Sequence, residues 1–176
     1  MGNISNRRVH QAFAEGDVAP TAHTKGQALE NLLAYVFEKF PGVRLIDRNA
    51  HVADGSEEID LIFWNDRAPN GLPFLPNIMM FECKNWTQPV GSAAVVYFIN
   101  KIRQRHLEFG FLIAANGVTG DENDLGAAQQ HLHSALIGDN VKIVVINREE
   151  LCNQKSTQQL RVLIQQKIAR IILRGA

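Results

Sequence analysis

The chain has 176 residues, 45% hydrophobic and 20% charged, with 18 Lys or Arg matched by 18 Asp or Glu. That length and composition fit one globular domain with its own core and argue against a second full domain. Zero net charge excludes a strongly basic nucleic-acid coat, two cysteines exclude a disulfide framework or a Cys-rich zinc site, and no apolar run reaches the roughly 18 residues of a membrane span.

Residues 1–24 lack a basic leader with an apolar core, and Asn6 stands where a myristoylation signal has Ser or Thr, so a cytoplasmic protein without a membrane partner is expected. The segment is polar, carries Gly16 and Pro20 and shows no clear period, which predicts a poorly packed arm or interface segment ahead of a single domain over 25–176. Arg7 and Arg8 are read as solvated or touching nucleic acid. From Lys25 to Phe40, Leu29, Leu32, Leu33, Val36, Phe37 and Phe40 recur at helical spacing, predicting a core-facing helix ended by Pro41-Gly42. Glu30 lies about 100° from Leu29 around that helix, at the rim of the stripe beside Phe37. Val43 to Asn49 reads as a short strand and Ala53-Asp54-Gly55-Ser56 as the turn that follows.

Glu57 to Trp64 reads as a second strand, with Glu58 and Asp60 on one face. Pro69, Asn70, Gly71, Pro73 and Pro76 cannot continue a ladder, so a long hairpin loop is expected before the next run, Ile78 to Lys84. In that run Glu82 and Lys84 share one face, and Phe81 and Cys83 the other. A charged pair in a strand buried on both faces is costly unless partners or a metal match it; the plain alternative is a salt bridge at an exposed strand end. If the hairpin is symmetric about Gly71, Asp60 falls opposite Glu82, about 5 Å away. Two such carboxylates repel; a shared proton or a cation relieves them, and Lys84 favours keeping both ionised. A hard ion such as Mg2+ suits one or two carboxylates plus water and phosphate oxygens.

After Trp86, read as a packing anchor with base stacking as the alternative, Pro89 and Gly91 precede a helix over Ser92 to His106. Val95, Phe98, Ile99 and Ile102 face inward, while Tyr97, Lys101, Gln104 and Arg105 form another face suited to duplex backbone or to plain solvation. Gly110 to Ala115 reads as a strand parallel to its neighbour, Asp124 to Ile137 as a helix, and Val141 to Ile146 as a last strand. His131 and His133 sit about 200° apart on their helix and cannot share a metal. Ser156-Thr157-Gln158-Gln159 is a capping-box pattern opening a final helix. Between Leu151 and Ala176, Lys155, Arg161, Lys167, Arg170 and Arg174 meet no acidic residue, which fits a phosphate-facing patch or a solvated face.

Asp60 followed by Glu82-x-Lys84 resembles the PD-(D/E)xK nuclease superfamily, and the sequence from about Thr24 to Gly120 resembles its Mrr-like restriction endonuclease branch. The resemblance is carried by Gly26-x-x-Leu29-Glu30, Glu58-Ile59-Asp60, Glu82-Cys83-Lys84-Asn85-Trp86 and Phe109-Gly110-Phe111-Leu112-Ile113. Ile59 stands where the superfamily has a proline, a position without chemistry. Element order alone predicts an α/β fold with a mixed sheet flanked by helices, and the resemblance implies a restriction-endonuclease-like αβββαβ core. It further implies that Asp60 and Glu82 hold Mg2+ or Mn2+, that the carbonyl of Cys83 adds a ligand, that Lys84 serves the attacking water and that Glu30 completes the site. Lys101, Gln104 and Arg105 are the expected nucleic-acid contacts. The expected activity is metal-dependent endonucleolytic hydrolysis of DNA, with RNA as an alternative substrate, by a homodimer. The alternative is a non-cleaving nucleic-acid or nucleotide binding module on the same fold.

Overall fold

The computed structural model describes residues 2–51, 58–120 and 127–174. The apolar runs form five strands, β1 (Val43–His51), β2 (Glu58–Asn65), β3 (Ile78–Lys84), β4 (Phe109–Ala114) and β5 (Lys142–Ile146). They lie in one sheet in the order β1-β2-β3-β4-β5, with β1, β2 and β3 antiparallel and β3, β4 and β5 parallel. The helices are α1 (Asn6–Val18), α2 (Ala22–Phe37), α3 (Ser92–Gln104), α4 (Ala127–Asp139), α5 (Arg148–Cys152) and α6 (Thr157–Arg174). This is the α/β architecture with a mixed, helix-flanked sheet that the element order predicts. The expected turn at Ala53-Asp54-Gly55-Ser56, Glu57 and the helix start at Asp124 lie outside the described residues.

Alternation along the strands divides the core into two apolar layers. On one face Leu29, Leu33 and Phe37 of α2 cover Phe63, Phe81 and Phe111, and Phe81 stacks on Phe111 at 4.5 Å while meeting Phe37 edge-on at 4.6 Å. On the other face Val95, Phe98, Ile99 and Ile102 of α3 cover Met80, Leu112 and Ile143. The β2–β3 hairpin has the register expected from symmetry about Gly71: Leu61 pairs with Phe81 and Trp64 with Ile78. Its loop is more than a turn, because Leu72 and Leu75 are buried and the side-chain amide of Asn65 donates to the carbonyls of Leu72, Leu75 and Pro76.

Where a poorly packed arm is expected over 1–24, the chain instead forms α1 and joins the core. Ile4, Val9 and Phe13 are buried in the α2-side layer, and the N–H of Ile4 donates to the carbonyl of Lys155 at 3.0 Å. Asp17 binds Arg148 of α5 at 2.6 Å, and Asn6 donates to the carbonyl of Cys152. Val9, Phe13 and Gly16 do recur at helical spacing, but the stripe is so narrow that only packing against α2 makes the helix worthwhile. Phe13→Ala is therefore expected to cost about 3 kcal/mol in urea unfolding; a loss near zero would return this segment to a loose arm.

Candidate active site

At the carboxyl end of β3 an open cleft of about 460 Å³ is lined by Glu30, Asn49, Glu58, Asp60, Cys83, Lys84 and Trp86, and by 19–23 and Lys25. The second wall is the α1–α2 junction with the first turn of α2, which carries His23 and Lys25. Asn85, directly after β3, anchors that wall by donating its side-chain amide to the carbonyl of Lys25 at 3.1 Å. A Cβ on Gly16 would stand 2.2 Å from the Asn85 amide nitrogen, so only glycine lets α1 approach so closely.

The β2–β3 ladder stops one step short of the acids. Leu61 and Phe81 are its last pair, and Asp60 and Glu82 occupy the next positions in register. There the Asp60 carboxylate replaces a ladder carbonyl, accepting the N–H of Cys83 at 2.6 Å. Strand alternation would place Ile59 and Leu61 on one face, yet Leu61 lies in the α2-side layer and Ile59 in the α3-side layer, so β2 reverses its facing at Asp60. Glu82 takes a different position. It is 3% exposed, with one oxygen 2.7 Å from the ammonium of Lys84 and the other 2.8 Å from that of Lys101.

These surroundings set the charge states. Burial and the neighbouring Glu82 charge push Asp60 up to about 7, against the lowering influence of the Cys83 N–H and the two lysines. Burial likewise raises Glu30, aided by Glu58 and opposed by Arg48 and a hydrogen bond from Asn49. For Lys84 burial works against the ammonium, but the charge and hydrogen bond of Glu82 outweigh it and hold the group above the usual lysine range. Burial pushes the Cys83 thiol far up, which leaves it unsuited to act as a nucleophile.

Of the expected site residues, Glu30, Asp60, Cys83 and Lys84 meet at the cleft, and Glu82 lies behind them. Lys101 departs from expectation: it is 3% exposed and also donates to the carbonyl of Glu58 at 2.5 Å, so it is part of the buried charge cluster and not of an exposed phosphate-facing surface. Gln104 is exposed, and Arg105 caps α3 by donating to the carbonyl of Lys101 at 2.8 Å. Trp86 is 45% exposed at the cleft mouth, with the Lys84 ammonium 5.6 Å from its ring, and is not the packing anchor its position suggests. Of the C-terminal basic residues, Lys167 pairs with Glu150 at 2.6 Å and Arg161 donates to the carbonyl of Pro69.

The oxygen donors beside β3 are the carboxylates of Asp60, Glu30 and Glu58 and the carbonyl of Cys83 on the strand edge where its N–H meets Asp60, and the imidazole of His23 lines the second wall. The oxygen chemistry suits a hard divalent ion. Among the described residues no three His, Cys, Asp or Glu converge as a ready cage, although Mg2+ needs only one or two carboxylates and water.

A mixed sheet carrying an acid, then Glu-x-Lys, at the end of a central strand is the arrangement of a PD-(D/E)xK nuclease fold. Residues 21–154 match the Mrr_cat restriction endonuclease family, and the chain belongs to that family. Its structure is similar to that of NucC from P. aeruginosa ATCC27853 in its cAAA-bound form, with a TM-score of 0.57 and 13% identity over 93% of this chain and 89% of that one. This second likeness speaks to the fold. Among curated proteins none matches the sequence. No helix among the described residues is long and apolar enough to cross a membrane.

Two outcomes follow from the charge cluster. Native Asp60 keeps a proton between about pH 4 and pH 7 that the unfolded chain releases, so its stabilising contribution is complete below the unfolded value of 3.8 and is lost as pH rises through about 7. In EDTA, Asp60→Asn is expected to gain about 1 to 3 kcal/mol relative to the parent between pH 4 and pH 8; a difference that does not change with pH would refute the assignment. Lys101→Met leaves Glu82 with one partner and is expected to cost about 3 kcal/mol, most of it recovered in the double variant Glu82→Met/Lys101→Met. Full stability of Lys101→Met together with weakened DNA binding would put the ammonium back on the surface.

Proposed function

We propose that this protein is a metal-dependent endonuclease that hydrolyses phosphodiester bonds of DNA. The observation that carries the reading is the convergence of Glu30, Asp60, Cys83 and Lys84 on one open cleft with Glu82 clamped behind them. Asp60, Glu82 and the carbonyl of Cys83 are the groups that would hold Mg2+ or Mn2+, and the ion would supply Lewis-acid polarisation of the phosphate and a bound water of lowered pKa. Lys84 acts as a cation. Held protonated by Glu82, it orients the attacking water and offsets charge gathering on the phosphoryl oxygens, and it is poorly suited to deprotonate that water. Glu30, which lines the same cleft, would hold the ion's outer waters, and Lys25 on the second wall would offer a charge to a flanking phosphate. A homodimer would bring the second site that a double-strand break requires, and Ile172 and Leu173 of α6, 61% and 82% exposed, are apolar groups such a contact would cover.

One observation favours a second reading, a non-cleaving nucleic-acid or nucleotide binding module: both oxygens of Glu82 are already taken by lysines. A single set of assays separates the two. Plasmid, linear, branched and modified DNA, and RNA, are incubated with Mg2+, Mn2+ or EDTA, and sedimentation gives the mass of the same samples. Metal-dependent nicking of DNA by a dimer is expected, reduced at least about a hundredfold in each of Asp60→Ala, Glu82→Ala and Lys84→Ala. Nicking at the parental rate by these folded variants would remove the nuclease assignment from this cleft. DNA binding without cleavage in either metal would establish the binding module, and a lone monomer would overturn the dimer.

A further inference from the structure

Asn49 belongs to none of the motifs above, yet it lines the cleft. It lies within β1 with φ at 50°, a left-handed conformation that β-strands do not use and that, glycine apart, mainly Asn and Asp tolerate. The ladder continues on both sides of it, Arg48 pairing with Leu61 and Ala50 with Ile59, so Asn49 stands across from Asp60. The left-handed residue inverts the strand. Arg48 reaches α2 through the Asn31 side chain at 2.5 Å whereas Ala50 packs into the α3-side layer, although simple alternation would put both on one face. The reversal in β1 therefore lies beside the reversal that Asp60 marks in β2. The Asn49 side chain lines the same cleft as the Glu30 carboxylate, itself 8% exposed, and its amide is among the groups that favour the charged acid against burial.

We propose that Asn49 is a positioning residue of the cleavage site, its side-chain amide holding the Glu30 carboxylate toward Asp60 and its left-handed backbone turning the β1 edge so that the two meet. The inference rests on the nuclease reading above. An amide suits the place because it donates to a carboxylate without adding charge to a cleft that already contains Glu30, Glu58 and Asp60. A purely architectural Asn49 makes a different demand. Any residue at ease with positive φ would then serve, and glycine best of all.

Asn49→Gly separates the two roles, because it keeps the backbone conformation and removes only the amide. It is compared with Glu30→Gln, Asp60→Ala and the double variant Asn49→Gly/Glu30→Gln in three measurements: thermal unfolding, Mn2+ binding in the absence of DNA, and single-turnover cleavage across a Mn2+ series. Asn49→Gly is expected to unfold with the parent, to bind Mn2+ about 10- to 100-fold more weakly, and to regain most of its cleavage rate at high Mn2+. The double variant should bind Mn2+ no worse than Glu30→Gln, since the amide acts through that carboxylate. Parental Mn2+ affinity and cleavage by Asn49→Gly, with Asp60→Ala inactive, would overturn the inference and leave the nuclease reading standing. A parent protein that neither binds Mn2+ nor cleaves would overturn both.

Discussion

The structure of the site depends on burying one carboxylate. Glu82 is 3% exposed at the end of the central strand, where an unpaired ion would cost several kcal/mol, and each of its oxygens instead meets an ammonium. Satisfying both oxygens constrains elements far apart in the chain. Lys84 must follow two residues later along β3 to stay on the same face, and α3 must cross back over the sheet so that Lys101 lies above Glu82. The crossover from β3 through α3 to the parallel β4 does this, and the bond from Lys101 to the carbonyl of Glu58 ties β2 into the same cluster.

The clamp leaves the neighbouring acid unmatched. Asp60 occupies the next position on the hairpin and receives one N–H from Cys83, but burial, together with the charge of Glu82, makes it hold its proton up to about pH 7. A cation at the cleft would relieve what burial and repulsion impose there. The reversal of β2 at Asp60 gives that carboxylate access to the cleft; continued alternation would have turned it beneath α3 with Ile62. Catalytic potential and local irregularity thus occur at the same residue, as expected where a regular ladder gives way to chemistry.

The second wall of the cleft comes from a part of the chain with little apparent structure in its sequence. Val9, Phe13 and Gly16 form a narrow stripe among polar residues, and the contacts that order them lie elsewhere: Lys155, Arg148 and Cys152 near the other end of the chain. Once α1 is docked, the junction that follows it is carried to the mouth of the site, where Asn85 holds Lys25. Trp86 shows the converse. An aromatic residue after a central strand is easily taken for core, but β3 emerges here into the cleft and leaves the ring 45% exposed.

What the sequence determined by itself is local and periodic. Helical spacing from Leu29 to Phe37, the apolar runs of β2, β3 and β4, and the proline-rich loop specify elements because side-chain direction follows from backbone period alone. The hairpin's symmetry about Gly71 placed Asp60 level with Glu82 because register follows from the turn and the apolar pattern together. The role of Lys101 was beyond that reach. It lies about 60° from Phe98 around α3, at the edge of the apolar stripe, where a lysine turns outward unless an anion waits inside. The anion is Glu82, on another element, and the reversals at Asn49 and Asp60 likewise exist only where two strands are paired. Only the tertiary structure decided these, because the energy of a buried charge resides in its partner and no local sequence pattern records that partner's position.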